Sequence, residues 1–121
     1  MKILFTCIAI LFSQAVLAGN WVEVKGGAAP VEVEPSVLEA ALWEYIATHS
    51  DQEFQHKDSY TYQYQAVNDH GIRINAMCGS SGHWDLSEGF VGVMDGGTCF
   101  FRATYDFKLN AVVWFRVNGV A

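Results

Sequence analysis

The sequence contains little positive charge: 7 lysine and arginine residues stand against 13 aspartate and glutamate residues, for a formal net charge of −6 at pH 7. Proteins that bind nucleic acid or anionic lipid through their surfaces carry clustered lysine and arginine. No such cluster occurs along this chain. The composition therefore argues against nucleic acid and against an anionic membrane surface as partners.

Long apolar runs are also scarce, and the clearest one lies at the start of the chain. Residues 3–12 form a mostly apolar run behind Lys2, and Val16 and Ala18 occupy the positions where signal peptidase requires small residues. The run is too short to cross a membrane. We predict a signal peptide over residues 1–18, one mature domain over residues 19–121, and a secreted or periplasmic location. A retained N-terminal anchor is the alternative; after cleavage we expect no membrane association.

Cysteine is scarce too, with 3 in the chain, and cleavage of the leader would remove Cys7. The remaining pair, Cys78 and Cys99, has no histidine or further cysteine nearby, as a thiol nucleophile or a metal site would need. In an exported protein such a pair is normally oxidised, so we predict a structural disulfide. In a strict meander the two cysteines would lie two strands apart, so the bridge requires the loop over residues 79–89 to bring Cys78 back.

Metal-ligand and catalytic patterns are missing from the sequence. The 4 histidines occur without an H-x-x-x-H spacing or a paired carboxylate, so no coordination geometry is specified. Acid–base chemistry in a pocket needs an inward-pointing group tuned by burial, and the positions predicted to face inward are apolar or tyrosine. We therefore predict no metal, no cofactor and no enzymatic activity.

A helix is predicted after Pro35. Ser36 can cap its first turn, with Glu39 three residues later as the other half of a capping box. Residues that recur at helical spacing form one face, and Glu39 is predicted to lie off that face. The helix should end near residue 50. The residues of the face are Leu38, Leu42, Tyr45, Ile46 and His49.

From Tyr60 onward the apolar period changes to two, which indicates strands. A short edge strand is also predicted ahead of the helix, around residues 21–24. The predicted fold class is α+β, with one N-terminal helix packed on a curved antiparallel sheet of four to five strands. The main strands are predicted over residues 60–67, 72–78, 90–94, 98–107 and 111–117, with an Asp-Gly turn at residues 95–96.

This layout resembles the cystatin fold and the wider cystatin-like group that includes the NTF2-like proteins. Cystatins carry a Gly-Gly trunk before the helix, as at Gly26 and Gly27, and a Q-x-V-x-G hairpin, which Gln65 and Val67 match with Asp69 in place of the final glycine. In that family the trunk and hairpins form a wedge that plugs the cleft of a papain-like protease. The second half of the chain also resembles small exported bacterial proteins with a similar Asn-Gly-x-Ala ending.

The first functional hypothesis is an exported, non-enzymatic domain that binds a protein or peptide through turns at one end of the sheet, and that in one form inhibits a hydrolase or peptidase. The alternative for any one of these positions is that glycine and aspartate simply form turns. The candidate contact residues are Gly26, Gly27, Gln65, Val67, Asp69, Asp95 and Gly96, with Trp84 as a recognition residue in the long loop.

The second hypothesis is an NTF2-like small-molecule-binding protein or enzyme with a pocket between helix and sheet. Its structural alternative is a filled core. The residues that would line the pocket are Tyr60, Tyr62, Tyr64, Phe101 and Tyr105. Separately, Trp114 falls on the strand face opposite Phe115, which makes the outer face of the sheet a candidate second buried face or homodimer contact.

Overall fold

The computed structural model describes residues 19–79, 85–92 and 96–119. Within these residues one helix packs on one five-stranded sheet, which confirms the predicted α+β class. Short 3₁₀ turns precede two of the strands, at Lys57–Ser59 and Gly97–Cys99. The elements in chain order are β1 (Asn20–Glu23), α1 (Pro35–His49), β2 (Tyr60–Ala66), β3 (Gly71–Cys78), β4 (Phe100–Asp106) and β5 (Ala111–Val117).

The strands lie in the sheet in the same order as along the chain. β2 to β5 pair antiparallel, as predicted, but β1 pairs with β2 in parallel, with Trp21 opposite Tyr62. The expectation of a wholly antiparallel sheet is therefore wrong at this edge. The cause is the connectivity: α1 lies between β1 and β2, so the chain returns to its starting end before it enters β2, as parallel pairing requires.

The helix starts differently from the prediction. α1 begins at Pro35, and its N-cap is Glu34, which makes no side-chain capping bond. Proline suits this position because its fixed φ matches the first helical turn, where its missing N–H is not needed. The predicted capping box at Ser36 is therefore absent. The end of the helix at His49 agrees with the prediction.

Glu39 lies on the buried side of α1, not off it, and is only 5% exposed. Its carboxylate accepts hydrogen bonds from the Trp21 indole Nε1 at 2.8 Å and from the backbone nitrogen of Gly19 at 3.1 Å. A buried carboxylate must be hydrogen-bonded to offset its lost hydration. The residue that was expected to cap the helix instead joins the helix to β1.

The core lies between the inner face of the sheet and the buried stripe of α1. Aromatic rings dominate it and meet edge to face, with 5.2 Å between the ring centroids of Tyr60 and Phe101 and 5.8 Å between those of Trp43 and Phe101. Such contacts add to the free energy gained by burying the rings. The buried members are Leu38, Leu42, Ile46, Tyr60, Tyr62, Tyr64, Ile72, Ile74, Ala76, Phe101, Ala103 and Tyr105.

The strand predicted at residues 90–94 is wrong in its described part, because residues 90–92 have no strand conformation; residues 93 and 94 lie outside the described residues. β3 consequently pairs directly with β4, with Met77 opposite Phe100. Cys78 and Cys99 come next in register and form the predicted disulfide, with 4.9 Å between their Cα atoms. Because β3 and β4 are direct neighbours in the sheet, the two cysteines are not two strands apart as the strict meander required.

Candidate functional site

Three chain segments meet at the end of the sheet where β2 turns into β3 and β4 turns into β5. They are the connector over residues 26–33, the turn over residues 67–70 and the turn over residues 107–110, together termed the turn-end surface. Backbone hydrogen bonds of 2.8 Å join them, from Ala28 N to the Ala66 carbonyl and from Phe107 N to the His70 carbonyl. The sequence indicated the first two segments and missed the third.

Two features hold the connector against β2: a hydrogen bond from the Gln65 side chain, and the close approach that Gly27 allows because it has no side chain. The Gln65 amide nitrogen donates to the Lys25 carbonyl at 2.7 Å. A Cβ on Gly27 would lie 2.9 Å from the Gln65 Cγ and 3.0 Å from the Ala66 carbonyl oxygen, so this close approach needs glycine. Gly26 has φ +83°, where glycine is also favoured. The two glycines therefore have structural roles in placing the connector.

The two turns are tied to each other by charge. Lys108 Nζ lies 3.2 Å from the Asp69 carboxylate, and His70 Nδ1 lies 3.3 Å from that of Asp106. The hydrogen bond from Lys108 lowers the pKa of Asp69, and the backbone N–H of Leu109 is the main cause that lowers the pKa of Asp106. The Lys108–Asp69 pair is exposed and adds little stability, so its chief effect is to fix how the two turns lie together.

An apolar groove of about 410 Å³ lies between the connector and the turns. This volume is within the usual range of ligand sites. The two turns carry exposed apolar side chains, Val67 at 46% and Leu109 at 69%. The lining is apolar at Val31, Val33, Ala66, Ile72 and Phe107 and polar at Glu32, Asn68 and Asp69. The surface thus combines an apolar recess, two apolar tips and acidic groups.

Gly96 lies at the opposite end of the sheet from Val67. It adopts φ +105° just before the Gly97–Cys99 turn, beside the disulfide. The predicted grouping of Gly96 with Val67 is therefore wrong. Because residues 90–92 form no strand, the chain crosses the sheet once less than expected and the turn falls at the other end. Asp95 and Trp84 lie outside the described residues.

The space between helix and sheet is filled by aromatic side chains whose hydroxyl groups are engaged. Tyr62 Oη donates to the Lys57 carbonyl at 2.7 Å and accepts from Trp43 Nε1 at 2.8 Å. Tyr60 Oη donates to the Thr98 carbonyl at 2.7 Å. Burial raises the pKa of both tyrosines, so both hydroxyls stay neutral. This arrangement favours the filled-core alternative over an interior pocket.

The outer face of the sheet is covered in part by residues 85–92, through two buried amides. Gln63 Nε2 donates to the carbonyls of Leu86 and Gly89 at 2.9 and 2.7 Å. Its Oε1 accepts from Asn75 Nδ2 at 3.0 Å and from the Val91 backbone at 2.9 Å. A segment without regular structure is thus held on the sheet by a satisfied polar network. Neither amide was predicted to be buried.

Within the described ranges, no group of three or more His, Cys, Asp or Glu side chains is placed to hold a metal ion. The helix found there is too short to span a membrane. Comparison with protein-family models finds no matching family, and searches of curated proteins and of solved structures find no match.

Proposed function

We propose that this chain is an exported, non-enzymatic binding domain that recognises a protein partner through the turn-end surface. The convergence of three segments around an apolar groove carries the proposal. The two turns that meet there carry exposed apolar side chains, Val67 at 46% and Leu109 at 69%. Contiguous exposed apolar side chains on a protein surface mark interaction sites.

The turn-end surface is also organised before any partner arrives. Asp69 and Lys108 join the two turns, and Gln65 holds the connector to β2. A surface whose loops are already fixed loses less conformational entropy on binding. Because Glu32 and Asp69 line the groove, charge complementarity favours a partner that presents apolar side chains next to basic ones.

The finer form of the proposal is inhibition of a peptidase. The resemblance to cystatins implies a wedge made by the Gly-Gly trunk and the hairpins, and Gly27 and Val67 do lie at one end of this molecule. The third part of the wedge would be the turn over residues 107–110, with Leu109 at its tip. In this proposal the turn over residues 107–110 has the role that the sequence assigned to residues 95–97.

The test is a titration of the mature chain against a papain-like cysteine peptidase acting on a fluorogenic peptide. We expect competitive inhibition that is lost when Val67→Asp and Leu109→Asp are combined. Both side chains are exposed, so the double variant should fold. The matched control is Trp114→Asp, which changes an apolar residue of similar exposure on the outer face and should inhibit like the wild type.

Absence of inhibition would reject the peptidase form. The binding proposal is then tested by cross-linking the mature chain to exported proteins of its own source. A cross-linked species that the control variant retains and the Val67→Asp, Leu109→Asp variant loses would support it, and equal labelling by both variants would reject it.

A homodimer through the outer face is the second candidate for a partner. It is favoured by the exposure of Val113 at 52% and Trp114 at 45% on β5. Sedimentation of the mature chain at several concentrations tests it. A dimer that Trp114→Asp converts to monomer would support this contact, and a wild-type monomer at all concentrations would exclude it.

A further inference from the structure

The three arginines of this acidic chain all lie on β3, β4 and β5: Arg73, Arg102 and Arg116. Arg102 stands directly opposite Arg116 in the pairing of β4 with β5. Like charges at opposed positions destabilise a sheet. The ion pairs found among the described residues all use lysine or histidine, so these arginine charges are not balanced by a described carboxylate.

Two of the arginines line a small cavity of about 120 Å³ on the outer face of the sheet. The Arg73 guanidinium lies 4.6 Å from the ring centroid of Phe90, a cation–π contact that fixes its position. Nε of Arg102 is buried and makes no hydrogen bond within the described part of the chain. The remaining lining comes from Asn75, Met77, Val91, Gly92, Phe100 and Asn118.

The wall of this cavity is held rigidly. Asn75 Nδ2 donates to Gln63 Oε1 and to the Val91 carbonyl, both at 3.0 Å. Its amide protons are therefore engaged in the network that fixes residues 85–92. Arg73 and Arg102 supply the charged donors of the lining. A buried arginine donor without an acceptor destabilises the fold, and a bound anion would supply the acceptor.

We propose that this cavity binds a phosphate group, with Arg73 and Arg102 as its donors. Two guanidinium charges match a phosphate monoester, which carries about −1.5 to −2 charges at pH 7, and the planar guanidinium fork suits its oxygens. The cavity has room for one compact group, so the remainder of a phosphorylated molecule would lie outside it. This site is separate from the turn-end surface and does not depend on the function proposed there.

The experiment is an NMR titration of the ¹⁵N-labelled, oxidised mature chain with inorganic phosphate and with glycerol phosphate, at constant ionic strength maintained with chloride. We expect saturable shifts at residues 73–77 and 90–92. Arg73→Gln and Arg102→Gln should each weaken binding by about tenfold or more. Arg116→Gln, which removes the same charge from the same face outside the cavity, should change affinity by less than about twofold.

The two probes separate the sources of the phosphate. Tighter binding of glycerol phosphate would indicate a phosphorylated organic ligand, and equal affinity would indicate phosphate itself; either supports the site. Lack of saturation with both, or equal losses from Arg116→Gln and Arg102→Gln, would overturn it in favour of diffuse charge. If Arg102→Gln does not fold, Arg102→Lys keeps the charge without the fork and should still lose affinity.

An independent observation concerns Gly19. Its backbone nitrogen lies 3.1 Å from the buried carboxylate of Glu39, and Trp21 beside it stacks on Tyr62 with ring centroids 4.3 Å apart. A Cβ at position 19 would overlap the Tyr62 ring and lie 2.9 Å from the Tyr60 carbonyl oxygen. Position 19 therefore requires glycine and holds its nitrogen against Glu39.

We infer that cleavage after Ala18 converts this hydrogen bond into a buried ion pair that stabilises the mature chain. Hydrolysis adds water across the Ala18–Gly19 peptide bond, leaving an ionised carboxyl group on Ala18 and a protonated amine on Gly19. The new ammonium replaces a neutral N–H as donor to Glu39, and charge-assisted hydrogen bonds are the stronger kind. The inference uses the expected cleavage site but not the proposed binding function.

The test compares two chains, one beginning at Gly19 and one with its N-terminus acetylated, each with Glu39 and with Glu39→Gln. At pH 6 the free amine is charged. We expect acetylation to lower the folding equilibrium constant of the Glu39 chain about tenfold and to leave that of the Glu39→Gln chain nearly unchanged. Urea denaturation gives the four values.

Equal effects of acetylation in both backgrounds, or none in either, would overturn the ion pair, since a steric effect would not depend on Glu39. If Glu39→Gln fails to fold, a second measurement tests the ion pair. It is the rate at which an amine-reactive ester acylates the N-terminal amine of the folded wild type. A rate well below that of the urea-unfolded chain supports the pair, and an equal rate rejects it. N-terminal sequencing of the exported protein is a further test: a first residue other than Gly19 would also reject the ion pair.

Discussion

The two faces of the sheet bury their residues by different means. The inner face is covered by α1 and packed with aromatic rings that leave almost no surface exposed. Among the described residues, the segment over residues 85–92 covers part of the outer face, and its contact depends on the amides of Gln63 and Asn75. Apolar packing is strong and non-directional, whereas an amide network specifies one geometry but contributes less net free energy. The inner face therefore determines stability, and the outer face is free to carry specific polar groups.

The largest difference in stability between the two faces is expected at two neighbouring phenylalanines of β4. Phe101 is 1% exposed on the inner face, and Phe100 is partly exposed on the outer face. We expect Phe101→Ala to cost about 3–5 kcal/mol of unfolding free energy and Phe100→Ala about 1 kcal/mol. Urea denaturation followed by tryptophan fluorescence gives both values. Equal losses would show that the two faces contribute equally to stability.

Removing the disulfide should have the next largest effect. The bridge closes a loop with a sequence separation of 21 residues, so Cys78→Ala with Cys99→Ala should cost about 3 kcal/mol. The expected result is a lower urea midpoint for the double variant, matched by the reduced wild type. A reduced wild type as stable as the oxidised protein would mean that the pairing of β3 with β4 suffices alone.

A third prediction compares two glutamines of β2. Gln63→Ala leaves the carbonyls of Leu86 and Gly89 without their donor and should cost about 1–3 kcal/mol. Gln65→Ala, the matched control, loses more exposed bonds to the connector and should cost about 0.5–1 kcal/mol. Hydrogen exchange should show faster exchange at residues 86–91 in the first variant only. Exchange unchanged there would contradict the anchoring role of Gln63.

The smallest expected effects are on pH dependence, and they have opposite signs at the core and at the turn end. Burial raises the tyrosine pKa at Tyr60, Tyr62, Tyr64 and Tyr105, so their contribution is complete below pH 10 and is lost as pH rises above it. The pKa of Asp106 is lowered by backbone N–H groups, so its contribution is present above pH 4 and is lost as pH falls.

Urea midpoints measured from pH 3 to pH 11 test both signs. Asp106→Asn should flatten the acid limb and leave the alkaline limb unchanged, while Tyr62→Phe should do the reverse. A variant that alters both limbs would show that the two regions are electrostatically coupled.

The parts of the fold that follow short-range patterns were predictable from the sequence. The alternation from Tyr60 predicted β2 and β3, and the segment over residues 111–117 matches β5. Helical spacing predicted the buried Leu38, Leu42 and Ile46 of α1, but Tyr45 is only half-buried and His49, at the end of the predicted face, is exposed. The disulfide followed from compartment and cysteine number. These patterns report on single elements and their immediate neighbours.

The predictions that were wrong depend on contacts between residues far apart in the sequence. Residues 90–92 have an apolar composition typical of a strand, but the backbone of Val91 bonds to the side chains of Gln63 and Asn75 instead of to a neighbouring strand. Because residues 90–92 form no strand, Gly96 lies at the other end of the sheet from the predicted one, and residues 107–110 lie in the candidate site instead. Glu39 looked like a capping residue because its partners, Gly19 and Trp21, lie far away in the sequence.

The disulfide has one more consequence, for what a protease can achieve. Cys78 is the last residue of β3, and Cys99 immediately precedes β4. A cut in any peptide bond between them leaves the two parts of the chain in one covalent molecule, still paired along β3 and β4. A molecule cut once in this way would keep its sheet, and the two fragments would separate only after reduction of the disulfide.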